Sequence, residues 1–376
     1  MKFWPATLLA AIAALAPAAA QTGRSGIPGS AAREVVVETV ARGLAHPWSL
    51  AFLPDGRMLV TERPGRLRIV AKDGTLSAPL AGVPHVLAGG QGGLLDVILD
   101  QDFARSHVIY FCFAEPTAGG GRTAVARARL GEGALDDTSV IFRQEGPLSS
   151  GNHYGCRIAQ SRDGNLFVAL GEHFAFREEA QNLANHLGKI IRIRPDGSAP
   201  PDNPFVGRPG AKPEIWSYGH RNPQGLAFHP QSGRLWEHEH GPRGGDEVNI
   251  IEKGRNYGWP VIGYGVDYSG ARIHESAQQA GMEQPIKYWV PSIAPSGMAF
   301  YTGALFPAWR GSLFVGALAD RMLVRLALDG ERVSGEERLL RDLGERIRDV
   351  RQGPDGALYL LTDNPQGRIL RLVPAS

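Results

Sequence analysis

Beyond its N-terminus the chain lacks any run long and apolar enough for a membrane helix, which excludes a protein that spans a bilayer with helices. It also lacks charge imbalance. Forty Lys+Arg against 38 Asp+Glu leave a formal net charge of +2, without the strongly basic face of a nucleic-acid protein. Cysteine is scarce, with Cys112 and Cys156 the only two. Both sit in apolar, strand-like runs, where a buried free thiol is as ordinary as a disulfide, and sequence alone leaves the choice open. Helical periodicity is scarce too, and suggests at most a turn or two near Glu178 to His186.

Turn-forming residues are abundant instead, with 48 Gly and 27 Pro among 376 residues. At the N-terminus, Lys2, the apolar "LLAAIAALA" and the small residues Ala18 to Ala20 read as a signal peptide over 1–20, cleaved before Gln21. The alternative is a buried N-terminal helix. Export places the mature chain in the periplasm or outside the cell, where a disulfide is permitted. Residues 21–33, rich in Gly, Ser and Ala, read as a flexible leader.

The remainder repeats itself. "FLPDGRMLVTE" (Phe52 to Glu62), "QSRDGNLFVALGE" (Gln160 to Glu172), "FHPQSGRLWEHE" (Phe228 to Glu239) and "QGPDGALYLLTD" (Gln352 to Asp363) each read as strand, tight turn, strand. Looser copies run from Leu99 to Phe113 and from Leu305 to Leu318. Six such units predict an all-β fold over 34–376, a six-bladed β-propeller of four-stranded antiparallel blades. "EVVVETV" (Glu34 to Val40) and the terminal "GRILRLVP" lack partners of their own, so they are expected to pair and close the ring. The longest insertions, Glu172 to Glu214 and Tyr257 to Pro295, are the expected carriers of function.

Four stretches carry candidate chemistry. In "GNHYGCRIA", His153 precedes a strand, where a loop can deliver it to the channel. In "SYGHRNPQGLAF", Arg221 and Asn222 precede a Pro and a Gly that fix the turn, so the guanidinium can clamp an oxyanion or carboxylate. In "RIR", Arg346 and Arg348 fall on one strand face, where two guanidiniums repel unless an anion lies between them. "EHEHGPRGGDE" (Glu237 to Glu247) gathers carboxylates and histidines in the manner of a metal site. Each has a plainer structural explanation, namely a hydrogen-bonded loop histidine, a bridge between blades, a solvated outer strand or ordinary blade residues.

Together, "GLAHPWSLAFLPDGRMLVTERPGRL", "GQGGLLDV", "WSYGHRNPQGLAF", "GPRGGDEVNIIEKGRNYGWP", "PSGMAFYTG" and "RIRDVRQGPDGALYLLTD" resemble the soluble aldose sugar dehydrogenases that depend on pyrroloquinoline quinone (PQQ) and are related to soluble glucose dehydrogenase. The resemblance runs from about Val36 to the C-terminus. It implies a six-bladed propeller that oxidises aldoses at C1 to lactones and passes electrons to an external acceptor. His153 takes the part of general base, and Arg221 that of the cation beside the quinone carbonyl. Asn222, Gln91, Tyr268, Arg346 and Arg348 become quinone contacts. Calcium is implied at the carbonyls of Gly241 and Pro242, and a second calcium at Glu247 and Tyr257. His238 and His240 are not expected as ligands. Departures are Ala319, where relatives carry a lysine and Arg321 is the guessed substitute, and Asn152 and Glu172, which replace acidic residues around the base.

Two rivals remain. A calcium-dependent propeller hydrolase of the lactonase type needs several carboxylates or amides converging on a central ion, and has no tricarboxylate for the "RIR" pair. A sugar-binding propeller without catalysis leaves a base, a clamp and a cation site unexplained together.

Overall fold

Turn chemistry sets the local structure. Gly56, Gly164, Gly233 and Gly356 take φ of 86°, 85°, 69° and 79°, the left-handed region that glycine enters at least cost. Just before three of these glycines, Asp55, Asp163 and Asp355 each accept the backbone N–H two residues further on. The six repeat units all prove to be the turn between the innermost and second strands of a blade. These hairpins pair Pro47–Phe52 with Met58–Glu62, Leu94–Leu99 with Val108–Thr117, and Gly155–Gln160 with Leu166–Leu170. The others pair Pro223–Phe228 with Leu235–Glu239, Pro295–Phe300 with Leu313–Ala317, and Ile347–Gln352 with Leu358–Thr362.

The structure, a computed structural model, describes residues 23–25 and 35–375. The expected signal peptide and most of the expected leader lie outside them. Six antiparallel sheets form the blades of the propeller. Four-stranded blades are the rule. In the first, three strands are extended by residues 76–80, held by a bridge between Val70 and Leu76 and by Leu80 N–H on the Leu67 carbonyl. Closure follows the expected pairing: Val35–Leu44 lies antiparallel to Gly367–Pro374, Val36 opposite Val373. Gly23–Ser25, within the predicted leader, adds a short outer strand on Val35–Val37.

Apolar side chains fill the space between neighbouring blades. Trp48, Tyr110, Ile158 and Val168 share one cluster, and Val37, Phe314, Val350 and Leu360 another. Each large apolar side chain buried this way contributes about 1.5–3 kcal/mol. Within the first cluster Cys112 and Cys156 form a disulfide, Cα–Cα 5.7 Å, joining the second and third blades. No helix among the described residues is long and apolar enough to cross a membrane.

The long insertions depart from expectation. Glu172 to Glu214 is interrupted by Lys189–Ile193, the third strand of its blade, so it is two loops. Its helical content is one 3-10 turn, Arg177–Gln181. The second insertion holds the outer strand Lys287–Trp289; just before it Asn256 bridges Tyr218 in parallel, and at its start Tyr257 N–H donates to the Tyr218 carbonyl and Trp259 N–H to the Gly219 carbonyl. It therefore travels alongside the outer strand of the preceding blade, toward that strand's C-terminal end.

One feature recurs in every blade. The innermost hairpin loses register at the start of its inner strand, at Pro47/Ser49, Leu94/Val97, Gly155/Arg157, Pro223/Gly225, Pro295/Met298 and Ile347/Asp349. A bulge re-aims the residue it expels. Here all six occur at one end of the ring, among them at Trp48, Leu95, Gln224 and Arg348, which line a common cavity.

Candidate active site

Antiparallel pairing places the start of each inner strand beside the end of the second strand. The site is assembled from those two positions, blade after blade. Gln91, His153, Arg221, Asn222, Arg346 and Arg348 come from strand starts. Arg63, Glu172, Glu239, His240 and Asp363 come from the ends of second strands.

His153 is buried and held in the left-handed region at φ 53°. Its backbone N–H donates to Gln91 Oε1 at 2.9 Å, and its Nδ1 lies 3.2 Å from both oxygens of Glu172. A carboxylate at Nδ1 fixes the proton there and leaves Nε2 as the basic atom. Burial first, and the charge of Arg221 second, hold the imidazole pKa below 6.5, against the raising influence of Glu172. The neutral imidazole is thus the resting form at neutral pH. Phe174, half-exposed, stands edge-on to the His153 ring with centroids 5.1 Å apart, and Tyr268 follows at 6.2 Å from Phe174.

Arg221 donates from Nη1 to the carbonyls of His240 (3.1 Å) and Gly241 (2.7 Å), and from Nη2 to the Tyr268 hydroxyl (3.4 Å). Its guanidinium lies over Trp259 and Tyr268. Both rings come from the second insertion, brought to this end by its parallel run. Glu239 accepts the backbone N–H groups of Arg221 and Asn222 and so fixes the turn.

A cavity of about 360 Å³ opens beside these groups, bordered by Gln91, Arg346 and Arg348 among others. It lies within the range of small-molecule sites. The "RIR" pair does converge on one anion, but that anion is the chain's own Asp363. Its Oδ2 is 3.3 Å from Arg346 Nη2 and 3.2 Å from Arg348 Nη2. The expected repulsion between the guanidiniums is therefore relieved. Nor does simple strand alternation account for the convergence, because Arg346 precedes the strand and Arg348 sits in its bulge. Burial pushes the Asp363 carboxyl up, but Arg348, His46 and Arg346 outweigh it and hold it well below the usual range.

Three buried donors in this region have no partner among the described residues: Arg221 Nε, Asn222 Nδ2 and Arg348 Nε. Leaving such donors unpaired is costly, and a polyanionic ligand with carbonyl oxygens fits them. Arg321 does not belong to this set. It is exposed, turned to the Gly344 carbonyl, and borders no part of the cavity.

A second cavity, about 20 Å³, has room for a single water-sized occupant. Gly241, Pro242, Glu247 and Tyr257 all line it, together with Glu239. Cross-strand register explains the gathering. Glu239 faces Glu247 and Glu237 faces Asn249, on one face of the blade. His220 Nδ1 lies 3.2 Å from Glu239, and ligand atoms of His220, Glu237 and Glu239 fall within 4.8 Å of one another. Glu237 Oε1 and Asn249 Oδ1 are unpartnered. Burial, then the charge of Glu239, pushes the Glu237 and Glu247 carboxyls upward. Carboxylate, amide and carbonyl oxygens converge here, the donors that a hard cation prefers, and a bound cation would offset the upward push on the two carboxyls.

The carboxylates of "EHEH" and His220 thus join Glu247, the one carboxylate expected as a ligand in that metal-like stretch. Period-two alternation carried the signal, since it puts Glu237 and Glu239 on one face and the intervening His238 on the other. His238, its pKa lowered to about 3 by burial, packs against Gly225, and His240 accompanies the Pro295 carbonyl at 2.7 Å. Glu172 too was noted only as a departure from the family, and its carboxylate lies against His153 Nδ1.

Comparison with known proteins follows the same line. The glucose/sorbosone dehydrogenase family model matches residues 44–371. The chain is 50% identical over 346 residues to the aldose sugar dehydrogenase YliI of Escherichia coli K12, covering 90% of this chain and 93% of that one. A crystal structure of a glucose dehydrogenase superposes with a TM-score of 0.88 at 55% identity, over 90% of this chain and 99% of the other. The PQQ-bound aldose sugar dehydrogenase of Streptomyces coelicolor gives 0.73 at 32% identity, over 90% and 98%.

Proposed function

The chain belongs to the glucose/sorbosone dehydrogenase family, and from that premise we propose that it oxidises aldose sugars at C1 to lactones with PQQ and calcium. The observation that carries this is a neutral, carboxylate-oriented His153 beside a cavity edged with arginines, three of whose neighbouring donors stand unpaired. PQQ, when bound, supplies the hydride acceptor, and calcium polarises it as a Lewis acid.

The chain's own residues do the rest. His153 Nε2 takes the proton of the anomeric hydroxyl, and Glu172 stabilises the imidazolium that forms. Arg221, clamped by two carbonyls, offers positive charge where negative charge develops. Gln91 holds the His153 backbone and so links the base to the cavity wall. Asn222, Arg346 and Arg348 hold the quinone, and Tyr268 covers it. For calcium, Gly241 and Pro242 supply carbonyls, although Gly241 O already accepts Arg221. Anionic oxygens come from Glu247 and its neighbours, with Tyr257 alongside, and this second position suits a structural ion.

A lactonase is disfavoured because the buried carboxylates of the inner strands Leu94–Leu99 and Ile347–Gln352 are already neutralised. Asp96 and Asp349 are both paired with Arg157 and Arg351 at 2.8–3.3 Å, which leaves no cation vacancy there. Residues 1–20 and the Cys112–Cys156 bridge support export to the periplasm or beyond, with electrons leaving to an external acceptor. Purified apo-protein given calcium and PQQ should reduce a dye with aldose. His153→Ala should keep quinone binding and lose about 100-fold or more in turnover. Near-normal turnover in that variant would remove His153 from the mechanism, and lactone hydrolysis without dye reduction would favour the hydrolase.

A further inference from the structure

Three guanidiniums border the 360 Å³ cavity, those of Arg63, Arg346 and Arg348. Arg346 and Arg348 share one counter-ion, Asp363. Arg63 has no carboxylate partner among the described residues. Its Nη1 donates only to the Gly90 carbonyl, at 2.5 Å. The neighbouring Glu62 cannot serve, because its Oε2 is taken by Arg66 and Arg68 on the other side of the strand. The cavity wall therefore carries three positive charges against the single negative charge of Asp363.

The backbone of Arg63 is firmly held. Its N–H donates to the His46 carbonyl at 3.0 Å, and its carbonyl accepts Leu94 N–H at 3.0 Å, which ties the first blade to the second. Its side chain is half-buried at the cavity edge beside Gln91. A half-buried arginine with an anchored backbone and no carboxylate partner, lining the same cavity as two others, is arranged to meet a ligand carboxylate.

We propose that Arg63 is the third cationic contact of the cofactor, binding a quinone carboxylate that the Asp363-paired arginines do not. This rests on the PQQ reading above. The plainer alternative is that Arg63 only anchors Gly90 and, through it, the Gln91 loop.

The test is a fluorescence titration of PQQ, and separately of its uncharged trimethyl ester, into apo-protein at two salt concentrations. Wild type, Arg63→Gln, Arg63→Lys and the remote control Arg162→Gln are compared. Arg63→Gln should bind PQQ about 10- to 100-fold more weakly, as expected for loss of one charged hydrogen bond. Its affinity should also depend less on salt. Arg63→Lys should recover most of the loss, Arg162→Gln should match wild type, and the ester should bind wild type and Arg63→Gln alike. Equal PQQ affinities for wild type and Arg63→Gln would overturn the proposal, as would an equal loss for PQQ and ester, which marks a loop effect. Wild type that binds no PQQ would instead sink the parent reading as well, so the two failures are told apart.

Discussion

Glu172→Gln is the most informative single change at the base. In the wild type both Glu172 oxygens stand 3.2 Å from His153 Nδ1, in a pocket where the carboxylate is about 1% exposed. When Nε2 takes a proton, an imidazolium forms roughly 4 Å from the carboxylate centre. At an effective dielectric of about 20, that attraction is worth about 4 kcal/mol. Glutamine keeps an acceptor for Nδ1–H but not the charge, so a loss of about 2–3 kcal/mol is expected, or roughly 30- to 150-fold in kcat. The acid limb should move as well. With His153 as the proposed base, activity should be lost as pH falls through its folded pKa, which burial and Arg221 already hold below 6.5. Glu172 opposes that depression, so its neutralisation should carry the limb to still lower pH while the plateau falls. The assay is dye reduction at saturating sugar and quinone across pH, with quinone affinity titrated in parallel. A plateau within about threefold of wild type and an unmoved limb would refute the assignment of Glu172 as partner of the base.

Removing calcium should lower the thermal midpoint, and restoring it at a hundredfold excess over Kd should return about 2.7 kcal/mol; Glu237→Gln combined with Glu247→Gln should abolish that response in a thermal melt, whereas an unchanged calcium shift would place the ion elsewhere. Replacing both Cys112 and Cys156 by alanine opens a loop spanning a sequence separation of 44, worth up to about 4 kcal/mol in the chain-entropy account. Denaturant unfolding should show a loss of that order, and equal stabilities would mean that packing alone joins the two blades. Asp363→Asn removes the counter-ion shared by Arg346 and Arg348, so it should tighten quinone binding in a direct titration, and weaker binding would show that Asp363 positions the pair more than it competes for it. Arg348→Ala should weaken quinone binding by about 1.5–3 kcal/mol with little effect on the sugar's apparent affinity once quinone saturates; equal affinities would free the "RIR" pair of its assigned role.

The blades were legible in the sequence because their signals are local. An Asp-Gly turn between alternating runs, as at Asp55–Gly56 or Asp355–Gly356, specifies its hairpin within a dozen residues, and six hairpins at blade-like spacing specify a ring. Closure was legible for a similar reason, since Glu34 to Val40 and the terminal strand were the two strands left without neighbours. His153, Arg221, Asn222 and the "RIR" pair could be singled out because each lies in a short motif at a strand start, whereas Gln91 was named only by the family resemblance. What only the tertiary structure decided are contacts between residues in different blades, far apart in the chain, whose geometry depends on the ring being closed. His46 reaches Asp363, and Arg157 lies between Asp96 and Asp349. No spacing in the chain encodes either pairing. The same holds for the bulges, which turn Trp48, Gln224 and Arg348 toward the cavity against the alternation that sequence reasoning assumes. It holds for the choice between thiol and disulfide as well, because Cys112 and Cys156 meet only when two blades pack side by side. Local backbone preference writes the strands and turns, whereas charge pairing and the placement of polar groups in a buried centre are settled by which blades become neighbours.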